Sequence, residues 1–312
     1  MICLDTGKKI FIVGLLGTVL LLLFFFSGNR GWQGDGIPPY TIAEGVVRGE
    51  VYVDGGHGYT GENPYLQYFK LPSGDIKYAR LYVPVWNSKS GNSIRVTVNG
   101  KDLTIRQEPD YVSAWGVGLY CIETNNSLHS GMNEVSISPE IPGGGPYGTT
   151  LVAVCENRSM SPVKFWINEG NYALTYTNNK DNVTSTFEGA SPGKNSTLYT
   201  MVVAGTEGEK DELYFDSTNI GSDIFRSAQG KYFDLFSTSV SPQSTECSLC
   251  FERGDEGYLH PCVAVLVSES GSNDEHLKLH EQKDAEGEQV PLPVIIVCLL
   301  ACLAIAIRFR KR

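Results

Sequence analysis

The sequence lacks a complete catalytic signature. There is no G-x-S-x-G elbow, and the only histidines ahead of residue 270 are His57, His129 and His260, each in a turn-like setting. No nucleophile with a neighbouring base is therefore legible, although a dispersed triad needs no fixed order along a chain. The glycine-rich stretch IPGGGPY at 141–147 has no following Lys-Ser or Lys-Thr, so it reads as a loop and not as a phosphate cradle. Basic residues are in deficit: 25 Lys and Arg stand against 35 Asp and Glu, a net charge of −10. Such a surface repels phosphates and argues against nucleic acid as a partner. Amphipathic helical runs are missing until 273–288 (NDEHLKLHEQKDAEGE), which reads as a solvated, partly helical stalk.

What is present begins with two long apolar runs. Residues 10–26 (IFIVGLLGTVLLLLFFF) follow Lys8 and Lys9, and residues 290–307 (VPLPVIIVCLLACLAIAI) precede Arg308, Arg310, Lys311 and Arg312. Each is near the short limit of about 17 residues for a spanning helix. Short basic flanks stay on the cytoplasmic side, so both tails are expected inside and the chain between them outside. The first run fits an uncleaved anchor and a secretory signal equally, since no A-x-A site follows its three phenylalanines. The second fits a stop-transfer anchor or a sorting tail exchanged for lipid. All acidic residues except Asp5 lie between the runs, while six of the basic residues lie outside. The exported part is thus more acidic than the whole.

That part is rich in Tyr, Val, Thr, Ser, Asn and Gly, with short alternating runs broken by Gly, Pro and Asn, which is a β-protein pattern. It also reads as one unit written twice. The passages at 68–86, 94–103, 110–123, 133–138 and 149–156 are matched in order by those at 184–205, 211–220, 230–240, 245–252 and 261–269. The expected fold is all-β: two consecutive antiparallel β-sandwich domains of the jelly-roll kind between N- and C-terminal membrane-spanning helices. The expected limits are 1–30 for the signal or anchor, 31–160 and 161–270 for the sandwiches, 271–289 for the stalk, and 290–312 for the second span and basic tail. Phe165 and Trp166, near the boundary, are candidates to pack between the halves.

The segments GVVRGEVYV, KLPSGDIKYARLYVPVW, LVAVCENRSMSPVKFWINEGN, DELYFDSTNI, KYFDLFSTSV and YLHPCVAVLVSE, in that order, resemble the domain-of-unknown-function family 3344 of methanogen surface proteins. The resemblance runs from about Gly45 to Val267. It implies a place on an archaeal cell surface and brings no activity or catalytic residues with it.

Several residue groups are candidates for chemistry. Cys247, Cys250, His260 and Cys262 form C-x2-C-x9-H-x-C, a donor set that suits tetrahedral zinc. The competing readings are buried free thiols or disulfides of an exported protein, with Cys121 and Cys155 as a pair on adjoining strands. His276 and His280 would share one face of a helical stalk, as a divalent metal requires, or stand as two exposed imidazoles. Asp54, Glu62 and Asn63, in the loop VDGGHGYTGEN, suit calcium or are solvated turn residues. Trp86, Trp115, Trp166, Tyr82 and Tyr120 suggest a sugar-stacking platform or core packing. Among them Trp115 is the best exposed candidate because Gly116 and Gly118 flank it. Asn125, Asn157, Asn182 and Asn195 head glycosylation sequons.

The leading functional expectation is a membrane-anchored, non-enzymatic cell-surface protein that binds envelope glycans or protein partners, with Trp115 and the Asp54 loop as contact points. One alternative is an exported hydrolase of envelope polysaccharide using carboxylates such as Asp75, Asp110 or Asp216. Another is a structural component that binds copies of itself.

Overall fold

Strict alternation makes the outer strands. Asn182–Glu188 (NVTSTFE) buries every second residue, as a strand covered on one face must. Thr150–Glu156 is instead buried throughout, because sheet lies against both of its faces. The computed structural model describes residues 35–280 apart from 89–92, 104–107, 141–142, 178–179 and 272–275. The two apolar runs expected to span a membrane lie outside the described residues. Among the described residues no helix is long and apolar enough to cross one.

Among the described residues each half contains eight principal strands. In the first they are Gly36–Gly55, Tyr65–Leu71, Asp75–Trp86, Ile94–Val98, Lys101–Asp102, Gly118–Glu123, Gly131–Pro139 and Thr150–Glu156. In the second they are Pro162–Tyr172, Asn182–Glu188, Ser196–Val203, Glu212–Phe215, Thr218–Ser222, Phe233–Val240, Glu246–Glu252 and Tyr258–Glu269. In both halves the first, eighth, third and sixth strands neighbour one another in one sheet, and the second, seventh, fourth and fifth in another. This is the order of a jelly roll. Each pair of repeated passages in the sequence occupies the same place in its half.

The two jelly rolls are not merely side by side. Their first strands pair antiparallel, with Val46 opposite Lys164 and Ala43 opposite Ile167, so one twelve-stranded sheet runs through both. The opening strand is 20 residues long and serves both halves: its later part pairs with Thr150–Glu156 and its earlier part with Pro162–Tyr172. Antiparallel pairing of equivalent strands gives the molecule a local two-fold relation.

Three apolar clusters follow from this layout. Phe69, Val96 and Ile137 pack on Leu81, Val83 and Leu151 inside the first sandwich. Phe187, Leu249 and Phe251 pack on Trp166, Leu198 and Leu266 inside the second. The opposite face of the shared sheet curls over a third cluster drawn from both halves, including Tyr82, Val152, Phe165, Met201, Phe233 and Val263. Phe165 therefore sits between the halves, whereas Trp166 belongs to the second sandwich, with its indole N–H donated to the Glu188 carbonyl at 2.7 Å. In the shared layer Arg80 of the first half meets buried Glu169 of the second at 2.7 Å, and the Tyr111 hydroxyl donates to the same carboxylate at 3.0 Å.

The expectation of a partly helical stalk over 271–289 needs correction at 276–279, while 281–289 lie outside the described residues. His276–Leu279 is a β-strand paired antiparallel with residues 43–46 of the opening strand. A Cβ on Gly45 would meet the His276 carbonyl oxygen at 2.1 Å, so glycine is what admits this strap. On an extended strand four residues span roughly 13 Å, too far for His276 and His280 to chelate one ion. The charge pattern looked helical because no apolar stripe was needed: Glu44 supplies the partner, 3.1 Å from Lys278.

Candidate functional site

Where strand ends of both halves meet, they enclose a cleft of about 530 Å³ lined by Tyr59, Trp86, Trp115, Tyr147, Tyr232 and Tyr258, with Val117, Ala204, Thr206 and His260 between the rings. Trp86 ends the third strand of the first half, and Tyr258 begins the last strand of the second. Backbone hydrogen bonds tie the two lips together, Gly58 N–H to the Gln229 carbonyl and Tyr59 N–H to the Lys231 carbonyl, both 2.9 Å. Gly58 must lack a side chain because a Cβ would strike the Gly230 backbone at 2.1 Å.

The rings are set edge to face. Trp115 lies 5.4 Å from Tyr258, Tyr147 6.0 Å from Tyr232, and Trp86 6.4 Å from Tyr147. Trp115 is 46% exposed and Trp86 41%, whereas Trp166 is fully buried. A bulky residue at positive φ is a steric outlier, and Trp115 has φ of 71°. Its turn is pinned by Ser113 N–H to the Val117 carbonyl at 3.0 Å and by Ser88 N–H to the Gly116 carbonyl at 2.8 Å. Ala204 (φ 71°) and Tyr232 (φ 65°) are strained likewise and are joined by Ala204 N–H to the Tyr232 carbonyl at 3.0 Å. Every other described non-glycine residue at positive φ is Asn, Asp or Ser, types that tolerate or cap such turns. The three for which the conformation is costly all line this cleft.

His260 lies at the floor, almost wholly buried. Its Nδ1 is 2.9 Å from the Ser113 hydroxyl, and burial pushes the imidazole down to about 3, so the ring is neutral at ordinary pH. The cleft can therefore offer ring faces, a threonine and a neutral imidazole, with no charged side chain among its described lining residues.

The other expected site residues lie elsewhere. Cys247 packs inside the second sandwich, and Cys250, three positions along the same strand, faces the opposite side by the two-residue period. Cys262 is in the layer between the halves. The expected zinc set is thus dispersed, and His260 alone of its four members reaches the cleft. Cys121 and Cys155 do not pair either. Asp75–Trp86 runs between their strands, and they point to opposite faces of the sheet, into separate clusters. None of the five described cysteines is in a disulfide. Asp54 accepts from the Tyr52 hydroxyl at 2.7 Å and from Gly55 N–H at 2.9 Å, Glu62 is exposed, and the Asn63 amide reaches the Pro139 carbonyl at 3.5 Å. Among the described residues no three His, Cys, Asp or Glu side chains gather as a metal would require.

Asp75 is exposed at a strand start. Asp110 accepts from Cys121 N–H at 2.7 Å, and Asp216 from Ser248 N–H at 2.9 Å and Gln243 N–H at 2.8 Å. Asn182 and Asn195 are exposed, while Asn125 and Asn157 are half-buried. Tyr82 and Tyr120 are core residues. Sequence reasoning missed Tyr59, Tyr147, Tyr232 and Tyr258, and the only trace of them is a tyrosine beside Gly or Lys in each of four turn regions.

The chain belongs to the family described as "Protein of unknown function (DUF3344)", which matches residues 31–269. No curated protein matches it. Solved structures similar to it include a conserved protein of unknown function from Pseudomonas aeruginosa PAO1, at 9% identity and a TM-score of 0.27 over 70% of this chain and 80% of that one. The protein YhaK from Escherichia coli aligns at 9% identity and 0.30 over 70% and 93%. The major capsid protein of bacteriophage PM2 aligns at 10% and 0.23 over 72% and 100%. Likenesses this slight carry no argument about the site.

Proposed function

We propose that this member of a family without assigned activity is a non-enzymatic binding protein of the cell surface. In this reading the apolar runs at 10–26 and 290–307 hold it at the membrane of a methanogen-like archaeon, and the double jelly roll faces outward to take envelope glycan into the aromatic cleft. The supporting observation is the concentration of costly backbone in that cleft. Strain of this kind persists where the surrounding structure over-determines it, and it clusters at ligand sites. A cavity of this size, mostly aromatic with a few polar groups, is also the common form of a small-ligand site.

Turnover has less support than binding, because Asp110 and Asp216 are engaged by backbone amides and none of the three candidate carboxylates lines the cleft. The test is Trp115→Ala on the full chain, assayed on an array of envelope glycans. Binding is expected to fall at least tenfold while the thermal midpoint changes little, since Trp115 is 46% exposed and its turn is held by backbone hydrogen bonds. Undiminished binding with an intact fold would remove the cleft from the function.

A further inference from the structure

Resting on the reading of the cleft as a glycan site, we infer that it selects an uncharged pyranose residue, stacked on the exposed indoles of Trp86 and Trp115 and hydrogen-bonded at the floor by His260 and Thr206. The argument is one of charge and hydrogen bonding. An anionic sugar stacked on the two indoles would find no cationic side chain among the described lining residues, the Lys231 ammonium standing over the Tyr232 ring instead, and an unpaired charge taken out of water is disfavoured. A quaternary ammonium would seek the same ring faces, but no carboxylate lines them, and the Lys231 ammonium already stands 4.9 Å from the Tyr232 centroid. An acyl chain would fill the space yet leave the polar floor without a partner, which costs affinity.

A neutral sugar meets each condition. Its C–H face covers an aromatic ring, and its hydroxyls both donate and accept. The last property matters at His260. With Nδ1 engaged by Ser113, Nε2 is either the donor or the acceptor according to the tautomer, and a hydroxyl serves both. Because burial keeps the imidazole uncharged down to about pH 3, the floor presents no charge over the ordinary range.

The experiment is calorimetric titration of the full chain in detergent with three probes: a neutral hexose oligomer, the matched oligomer containing uronic acid, and a choline-bearing ligand. The neutral oligomer is expected to bind at least tenfold more tightly than the uronate, choline not at all, and affinity to stay level from pH 4.5 to 7, below the range in which Glu256, bonded to the Thr206 N–H, ionises. Trp86→Ala and Thr206→Val, each verified to keep the parent's melting midpoint, are expected to weaken binding at least tenfold and about threefold. Preference for the uronate that still depends on Trp115 would overturn neutral selection and leave the glycan cleft standing. A change in affinity near pH 6 to 7 would overturn the neutral floor. Absence of binding to any sugar would overturn both this inference and the reading beneath it.

Discussion

The two halves share one topology and set Glu156 of the first and Glu256 of the second in opposite surroundings, while Glu169 of the second is paired across the seam with Arg80. In the first half Glu156, nearly buried, lies 2.5 Å from Lys77 and 3.0 Å from Arg158. Hydrogen bonds to these two cations hold its carboxyl down at about 2. In the second half Glu256 is wholly buried and accepts from Thr206 N–H at 2.9 Å. Burial, with Glu209 as a like-charged neighbour, pushes it up to about 8. Asp234, raised by burial to about 6, fastens Ser227 and Ala228 through their amides, and Asp211 fastens Ile224 and Phe225. The same framework thus uses ion pairs at the rim of one half and protonated or amide-bound carboxyls inside the other. Of the latter, Glu256 stands directly behind Thr206 of the cleft, whose N–H it accepts. What the duplication kept is the strand order; what diverged is the loop chemistry.

The largest test of that comparison is whether the halves stand or fall together. Phe69 and Phe251 occupy the two sandwich cores, both fully buried, and replacing either with Ala is expected to cost about 3–5 kcal/mol. Because the halves share a sheet and a third apolar cluster, each variant should still melt in a single calorimetric transition. Two separated transitions would show that the seam is weaker than the sandwiches.

A smaller effect separates the halves by pH. A carboxyl whose folded value lies below its unfolded value of roughly 4.3 contributes stability above that value, and the contribution fades as pH falls toward the folded one. Glu156→Gln should therefore matter at neutral pH and lose its effect near pH 2. For Glu256 the sign reverses: its protonated form favours folding below about pH 4, and that advantage is lost as pH rises to about 8. Glu256→Gln should match the parent at pH 4 and exceed it at pH 9, read as melting midpoints across the range. Parallel rather than opposed profiles for the two variants would break the comparison.

The smallest effect belongs to the strap, which has no counterpart among the described residues of the first half. Lys278→Ala removes an exposed pair with Glu44 and should lower stability by less than about 1 kcal/mol. Amide exchange at residues 43–46 is expected to stay slow, and rapid exchange there would mean that the ion pair, not the strand ladder, holds the strap.

Much of the architecture was legible because it is a matter of local period and order. Alternation marked the strands, and the matched passages at 94–103 and 211–220 or 133–138 and 245–252 announced two copies of one unit. Trp115 stood out because glycines clear its surroundings. The zinc and disulfide readings of the cysteines failed for one reason, while that of buried thiols outside disulfides held for Cys121, Cys155, Cys247 and Cys262. Proximity in sequence says nothing about which face of a strand a thiol takes or which strand intervenes, and Cys121 and Cys155 are separated on both counts. The strap at 276–279 was misread because its partner, Gly45 with its missing side chain, lies at the other end of the chain.

By itself the sequence determined the all-β class, the duplication and the acidic character of the chain between its two apolar runs, since these depend on composition and on patterns within a few residues. Only the tertiary structure decided that the two copies share a sheet, and that its curling brings six separate aromatic residues and one neutral histidine to a single cleft. The physical reason is that strand pairing and closure of the sheet join residues as far apart as Ala43 and Leu279, and such contacts leave no periodic mark in the chain that makes them.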